Sequence, residues 1–246
     1  MNNLPFYTML SVSFLITVII VYFIFSIIHY HRRYIQLQKE RILAEIIMQE
    51  NERKRIANDL HDSLGPLLST VKLNINSINV ADDEEKEIIE KAGKHLDTII
   101  KTIRQISNNL LPNTLDRKGL KEAIEEFAHQ VTYKNSLHIE IQTDDKLLLE
   151  KDKQIHVFRI LQEIIHNTIK HAKAKNLQIA LDSREDYMSI QTTDDGVGFN
   201  LAKSKAEAIG LGLKSIESRA EILNGKVSIE TRPGSGTSYF IQIPLK

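Results

Sequence analysis

Apolar positions along the chain fall into three successive regimes. From Thr8 to Ile28 the run TMLSVSFLITVIIVYFIFSII carries no charge, which matches the roughly 20 apolar residues that cross a bilayer. From Tyr30 to Arg55 the chain is charged, with apolar residues at Ile35, Ile42, Ile46 and Ile47. That spacing predicts a helix leaving the membrane, either a coiled coil or a solvated single helix. Ile56, Leu60, Leu64, Leu67, Val71 and Ile78 continue the seam. A turn is predicted at Ala81-Asp82-Asp83, with acidic residues suited to open the next helix. A second helical run (Ile88, Ile89, Ala92, Leu96, Ile99, Ile103, Ile106, Leu110) stops before Pro112. Two such helices form an antiparallel hairpin with a stripe it cannot bury alone. Pairing two hairpins into a four-helix bundle predicts a homodimer; the alternative packs the hairpin on its own C-terminal part.

Beyond Pro112 the period changes. Helices are predicted near residues 118–131, 152–172 and 211–223, and strands at 138–143, 177–181, 187–192, 227–231 and 238–243. Interleaved helices and strands give the expected fold class: α plus α/β. It comprises an N-terminal transmembrane helix, a helical hairpin in a dimeric four-helix bundle, and an α/β sandwich with helices on one face of a mixed sheet. The expected domains are 1–29 (short external tail and transmembrane helix), 30–52 (juxtamembrane signalling helix), 53–112 (helical hairpin) and 113–246 (α/β domain).

His29, His31, Arg32 and Arg33 follow the apolar run and no Lys or Arg precedes it. The positive-inside rule then places the N-terminus outside and the remainder in the cytoplasm, as a single-pass protein. A signal peptide would have a basic start, a shorter apolar run and a small-residue cleavage site, all missing here. Residues 1–7 are too short to fold, so no extracytoplasmic sensor domain is expected, and sensing within the bilayer or through a lipid or membrane partner is. The absence of Cys excludes disulfides, thiol chemistry and Cys-based zinc sites. Lys plus Arg equals Asp plus Glu at 32 each, so no global field points to direct nucleic-acid binding.

Five polar constellations remain. His61 sits at the edge of the stripe of Leu60, Leu64 and Leu67, beside Asp62. A carboxylate can hold a proton on one imidazole nitrogen and leave the other to attack a phosphoryl group; alone, the pair reads equally as a solvated helix face. Glu163, Asn167, Lys170 and His171 recur at helical spacings. An Asn carbonyl suits Mg²⁺ and a Lys suits phosphate, yet a plain polar face has the same pattern. Asp194-Asp195-Gly196-Val197-Gly198 follows a strand, and Gly210-Leu211-Gly212 opens a helix. Such glycines admit close backbone approach, and a helix N-terminus attracts phosphate. Gly234-Ser235-Gly236-Thr237 lies between the last two strands, where a hairpin loop is the default.

The order of these motifs carries more than any one of them. H-D-x-L-G, E-x-x-x-N-x-x-K-H, D-x-G-x-G, G-x-G-L and G-x-G-T in succession resemble the boxes of sensor histidine kinases of two-component systems, in the nitrate/nitrite-sensor-like subfamily that also includes membrane-fluidity thermosensors. The segment from Ile103 and Arg104 through Leu110-Leu111-Pro112 to Gly119-Leu120 resembles that subfamily's domain junction. The resemblance implies a HisKA_3-type phosphoacceptor helix in a dimerisation domain and a Bergerat (GHKL) ATPase domain like those of Hsp90, gyrase and MutL. It implies His61 as phosphoacceptor with Asp62 as acidic helper, and Asn167 as Mg²⁺ ligand supported by Glu163, Lys170 and His171. Asp194 would read adenine, Gly196 and Gly198 would shape the pocket, Gly210 and Gly212 would face phosphate, and the Thr237 hydroxyl would lie beside the adenine. Residues 200–209 would form a lid over ATP.

The implied activity is ATP-dependent autophosphorylation on His61 and transfer to an aspartate of a cytoplasmic response regulator with a helix-turn-helix output, at the bacterial inner membrane. One departure stands out. Relatives that dephosphorylate their partner often carry Gln five residues after the acceptor, where this chain has Pro66. Weak phosphatase activity is therefore expected, with a helix bent just past His61 because Pro66 cannot bond the Asp62 carbonyl. The alternatives are a GHKL-type ATPase working through conformational change or protein Ser/Thr phosphorylation, and a non-catalytic membrane scaffold.

Overall fold

Residues 6–64 contain neither Gly nor Pro, so nothing in the backbone interrupts helix formation. In the computed structural model, which describes residues 4–79, 82–134, 136–144, 147, 149–201 and 211–245, helix α1 runs over Leu4–Asp59. The chain divides into two compact units, Met1–Ile47 and Met48–Lys246. In the first, the apolar stretch is fully exposed: Phe14 and Phe25 are 71% and 69% accessible. Thr17 Oγ1 donates to the Ser13 carbonyl at 2.9 Å, satisfying its hydroxyl within the helix. A helix that is apolar all round and unburied fits lipid contact.

The second unit begins with the end of α1. A π-helical turn, Leu60–Leu64, intervenes before α2 (Gly65–Asn76). Its position coincides with a gap in the hydrogen-bond ladder. Pro66 has no N–H for the Asp62 carbonyl, and a widened turn is a common way to accommodate such a gap. Helix α3 (Asp83–Leu110) opens with Asp83, Glu84 and Glu85 at its positive end and stops where Pro112 forces extended backbone on Leu111. Lys72 Nζ pairs with Asp97 at 2.5 Å, and Ser107 Oγ donates to the Ala57 carbonyl at 3.2 Å. Ala81 of the predicted turn lies outside the described residues. A short helix α4 (Asn113–Arg117) was not legible in the sequence, since five residues show no period.

Helix α5 (Leu120–Lys134) leads to β1 (His138–Thr143), α6 (Lys151–Asn167), a π-helical turn (Thr168–Ala172), β2 (Asn176–Ser183), β3 (Tyr187–Asp194), α7 (Leu211–Ile222), β4 (Lys226–Thr231) and β5 (Thr237–Pro244). The sheet order is β1-β2-β3-β5-β4. The β1–β2 pair is parallel, bridged by α6, and the other pairs are antiparallel, so the sheet is mixed as expected. Alternation puts Leu177, Ile179, Leu181, Met188, Ile190, Ile241 and Ile243 on one face, each 1% accessible or less. Val157, Ile160, Leu161, Ile164 and Ile165 of α6 and Ile216 and Ala220 of α7 complete that core. Asn224, at φ +54°, and the Gly225 N–H, 2.8 Å from the Ala220 carbonyl, close α7.

A buried polar cluster interrupts this apolar interior. Arg159 on α6 donates from Nε to Glu50 Oε1 at 3.0 Å and from Nη1 to Gln162 at 2.8 Å. It also donates to the Leu110 carbonyl at the end of α3. Arg219 on α7 donates from Nη1 to Glu50 Oε2 at 3.2 Å and lies 3.4 Å from His156 Nδ1. A guanidinium only donates, so His156 Nδ1 accepts and that ring is neutral.

Ile190 pairs with Leu181 on one side and Ile241 on the other. Ile190→Ala should cost about 2–5 kcal/mol, read as a lowered urea midpoint of residues 48–246. A pH dependence also follows. Burial first, then the Arg219 charge, holds His156 below the usual imidazole value; burial first, then Lys170, does the same to His166. Both rings therefore bind fewer protons folded than unfolded. Their contribution is full above about pH 6.5 and is lost as pH falls through that value toward the folded pKa. The urea midpoint should drop between about pH 7.5 and about pH 5.5, and by less in His156→Gln.

Candidate nucleotide and phosphoacceptor site

Helix α6 is two-sided. With its apolar side on the sheet, Glu163 and Asn167 project one turn apart on the other, and Asn167 Nδ2 donates to Glu163 Oε1 at 3.2 Å. With the amide nitrogen engaged, Asn167 Oδ1 is the atom left to face a cation. Gly212, in the first turn of α7, closes on the same pair: a Cβ there would sit 2.2 Å from Glu163 Oε1 and 3.1 Å from Asn167 Nδ2. Three predicted residues thus meet in one polar notch.

A second group meets at the inner end of β3. Asp194 is 6% accessible and its Oδ1 accepts the Gly196 N–H at 2.9 Å. Burial raises its carboxyl pKa, opposed by backbone donors at Gly196 and Thr237. Asp194 and Thr237 face each other in the β3–β5 register, and Thr237 Oγ1 lies 3.2 Å from Thr231 Oγ1. At Gly196 a Cβ would strike the Ala172 carbonyl at 2.4 Å, while the Val197 N–H donates to that carbonyl at 2.8 Å. Gly198, at φ +57°, would meet the Arg232 carbonyl at 2.1 Å, and no other residue fits both demands. Asp195 points outward. It accepts the backbone N–H groups of Lys175 (2.8 Å) and Asn176 (3.0 Å) as a structural cap.

Other predicted residues stand apart. The α-helix stops at Asn167, and the wider turn that follows changes the phase, leaving Lys170 and His171 exposed. Gly210 and residues 202–209 of the expected lid lie outside the described residues. His61 and Asp62 are exposed on the hairpin, with His61 Nδ1 2.8 Å from Asp62 Oδ1. A cavity of about 280 Å³ beside His61 is lined by hairpin residues, among them Pro66, Ile103 and Ser107, and by Asn113.

Two site residues escaped the motifs. Tyr239, opposite Thr192 across β3–β5, has its hydroxyl pKa pushed up to about 12 by burial and by the charges of Asp194 and Glu163. Thr192, one step before Asp194 on the inner face, is 1% accessible and its hydroxyl has no hydrogen-bond partner among the described residues. An orphaned buried hydroxyl beside a buried carboxylate fits a pocket that takes a hydrogen-bonding ring, and the glycine notches fit close approach of a phosphate chain.

Comparison with known families agrees with this geometry. Residues 52–115 match the family described as histidine kinase, and residues 152–246 match the histidine kinase-, DNA gyrase B- and HSP90-like ATPases. The chain belongs to the histidine kinases. One segment matches the histidine kinase family and the other the ATPase family. A relative of this kinase is the oxygen sensor histidine kinase NreB of Staphylococcus carnosus (strain TM300), 28% identical over 212 residues, with 85% of this chain and 60% of that protein aligned. The kinase therefore spans about 60% of the length of that curated relative. The solved histidine kinase domain of the Erythrobacter litoralis EL346 blue-light activated histidine kinase is similar at a TM-score of 0.50 and 16% identity, over 78% of this chain and 94% of that one. A longer structure of the same light-activated kinase aligns with 84% of this chain and 60% of its own, again at TM-score 0.50 and 16% identity. At that identity the likeness is one of fold.

Two variants separate the site's parts. Thr192→Val should raise the stability of the nucleotide-free protein by about 1 kcal/mol while weakening ADP binding, because the orphan donor is removed; thermal unfolding with and without ADP reads both. Gly212→Ala should weaken ADP binding at least about tenfold by driving Glu163 and Asn167 apart, measured by calorimetric titration.

Proposed function

We propose that the chain is a membrane-bound sensor histidine kinase. It autophosphorylates on His61 at the expense of ATP and passes the phosphoryl group to an aspartate of a cytoplasmic response regulator, one with a helix-turn-helix DNA-binding output. The observation that carries this reading is the exposed His61 ring held through Nδ1 by Asp62, on a chain that also carries the Glu163–Asn167–Gly212 notch. With Nδ1 protonated and bonded to Asp62, the Nε2 lone pair is free to attack in line on the γ-phosphorus as the bond to the ADP oxygen breaks. Asp62 then offsets the positive charge on the imidazole. Bound ATP supplies the phosphoryl group, and Mg²⁺ supplies the charge that neutralises its oxygens. Asn167 Oδ1 is the candidate protein ligand for that ion, which keeps most of its shell in water and phosphate oxygens. Glu163 orients Asn167, Asp194 accepts from the adenine amino group with Thr237 beside it, and Gly196, Gly198, Gly210 and Gly212 admit the nucleotide backbone-close. Lys170 and His171, exposed at the helix end, meet the phosphates.

In the same reading, residues 1–29 hold the tail and a single span with the N-terminus outside, 30–52 carry the signal, 53–112 dimerise and accept phosphate, and 113–246 bind ATP. The apolar run of α1, with His29, His31, Arg32 and Arg33 after it, supports the bacterial cytoplasmic membrane as location. Leu67, Val71, Leu73, Ile88, Ile99 and Ile106 are exposed on the hairpin, which supports a homodimer burying them in a four-helix bundle. Sensing would occur in the bilayer or through a lipid or membrane partner. Pro66 in place of a water-positioning Gln supports weak phosphatase activity.

The test is autophosphorylation of residues 33–246 with labelled ATP and Mg²⁺. Acid-labile label is expected on wild type and none on His61→Gln or Asn167→Ala. Label persisting on His61→Gln would move the acceptor elsewhere, acid-stable label would favour Ser/Thr phosphorylation, and nucleotide binding without label would favour a scaffold.

A further inference from the structure

The buried cluster of Glu50, Arg159, Arg219 and His156 takes no part in the reaction above. All four are at most 8% accessible, and they come from three separate elements: Glu50 from α1, His156 and Arg159 from α6, Arg219 from α7. Both carboxylate oxygens of Glu50 are used, Oε1 by Arg159 at 3.0 Å and Oε2 by Arg219 at 3.2 Å. His156 is a neutral acceptor, so among the described residues Glu50 is the carboxylate that bonds both guanidinium groups. Glu50 also lies outside both matched family segments, 52–115 and 152–246.

The position of the cluster matters more than its strength. On α6, Arg159 stands one turn before Glu163 and two before Asn167. On α7, Arg219 follows Gly212 by seven residues on the same helix. The two helices that frame the nucleotide notch are thus the two that grip Glu50. Glu50 itself lies eleven residues before His61, roughly 16 Å along a helix. Among the described residues, the cavity beside His61 is lined by the hairpin and Asn113. Phosphoryl transfer requires the reacting atoms at about 3–3.5 Å. An apolar seam would stay shut in water; a buried ion cluster is different, because each partner regains full hydration when it opens, which leaves the closed and open states close in free energy.

We propose that Glu50 is a latch: it holds the ATP-binding domain through Arg159 and Arg219 in an arrangement that keeps the nucleotide from His61, and displacement of the α1 helix at Glu50 releases the domain for autophosphorylation. The latch rests on the kinase reading for its readout in activity, though not for its geometry. Glu50 lies on α1, so a displacement of that helix at Glu50 disturbs both arginine contacts together.

The experiment uses the full chain in lipid nanodiscs, with wild type, Glu50→Gln, Arg219→Gln and the double variant. Initial rates of acid-labile phosphorylation, ADP affinity and amide hydrogen exchange over residues 211–222 are measured together. Glu50→Gln and Arg219→Gln should each raise the rate within a range of about 5- to 150-fold, and the double variant should go no further than either, because both break one contact. ADP affinity should be unchanged and exchange in α7 faster in each. A rate at or below wild type with intact ADP affinity overturns the latch. Loss of ADP binding in Glu50→Gln also overturns it, because the cluster would then be a fold element. If wild type binds ADP but takes no label, the kinase reading falls instead, and the exchange data still decide: unchanged α7 protection in Glu50→Gln refutes the latch, increased exchange upholds it.

Discussion

Burial of a single face of the sheet by α6 is the constraint from which the site follows. Five strands alternate, and only their inner side chains leave water, so α6 and α7 must lay an apolar side on them. A helix committed in this way has one remaining side for chemistry. Glu163 and Asn167 occupy it, and Arg159 occupies the same side one turn earlier. At the end of the inner face the alternation continues past Ile190 into Thr192 and Asp194, so polar groups are carried into the interior by register alone. Ligand polarity is the physical answer to that burial, since a buried donor or acceptor left unmade costs more than a made hydrogen bond gains.

Two polar clusters therefore sit against one core with different logic. The notch of Glu163, Asn167 and Gly212 is half-open and receptive, shaped by what glycine omits. The cluster around Glu50 is closed and saturated, and its geometry is set by a helix that enters from outside the sheet. Breaking such a buried pair costs about 3–5 kcal/mol when one partner is deleted, although the intact pair adds little net stability. That asymmetry suits a contact whose value lies in being made or broken. It also makes α6 the common rod between the Glu163–Asn167 notch and helix α1.

Pro66 illustrates how one residue reaches several levels. Its missing N–H coincides with a π-helical turn at Leu60–Leu64, and that turn carries His61 and Asp62. The ring and carboxylate end up 2.8 Å apart and solvent-facing, although adjacent residues on a helix ordinarily diverge by about 100°. Pro66 also offers no side-chain hydrogen-bonding group five residues after His61.

Periodicity sufficed for the apolar span, the hairpin helices, the five strands and the helices between them, because each depends on neighbours within a few residues. The motif order sufficed for the family. Short or irregular pieces were silent: α4 is too short to show a period, and the π-helical turn after Asn167 has no local signature. The partnership of Glu50 with residues more than a hundred positions away, the orphaned hydroxyl of Thr192 and the approach of Gly212 to Glu163 had no local signature. Each is a contact between elements brought together by burial of the sheet, and a chain read along its length records which side chains exist, while packing alone decides which of them meet.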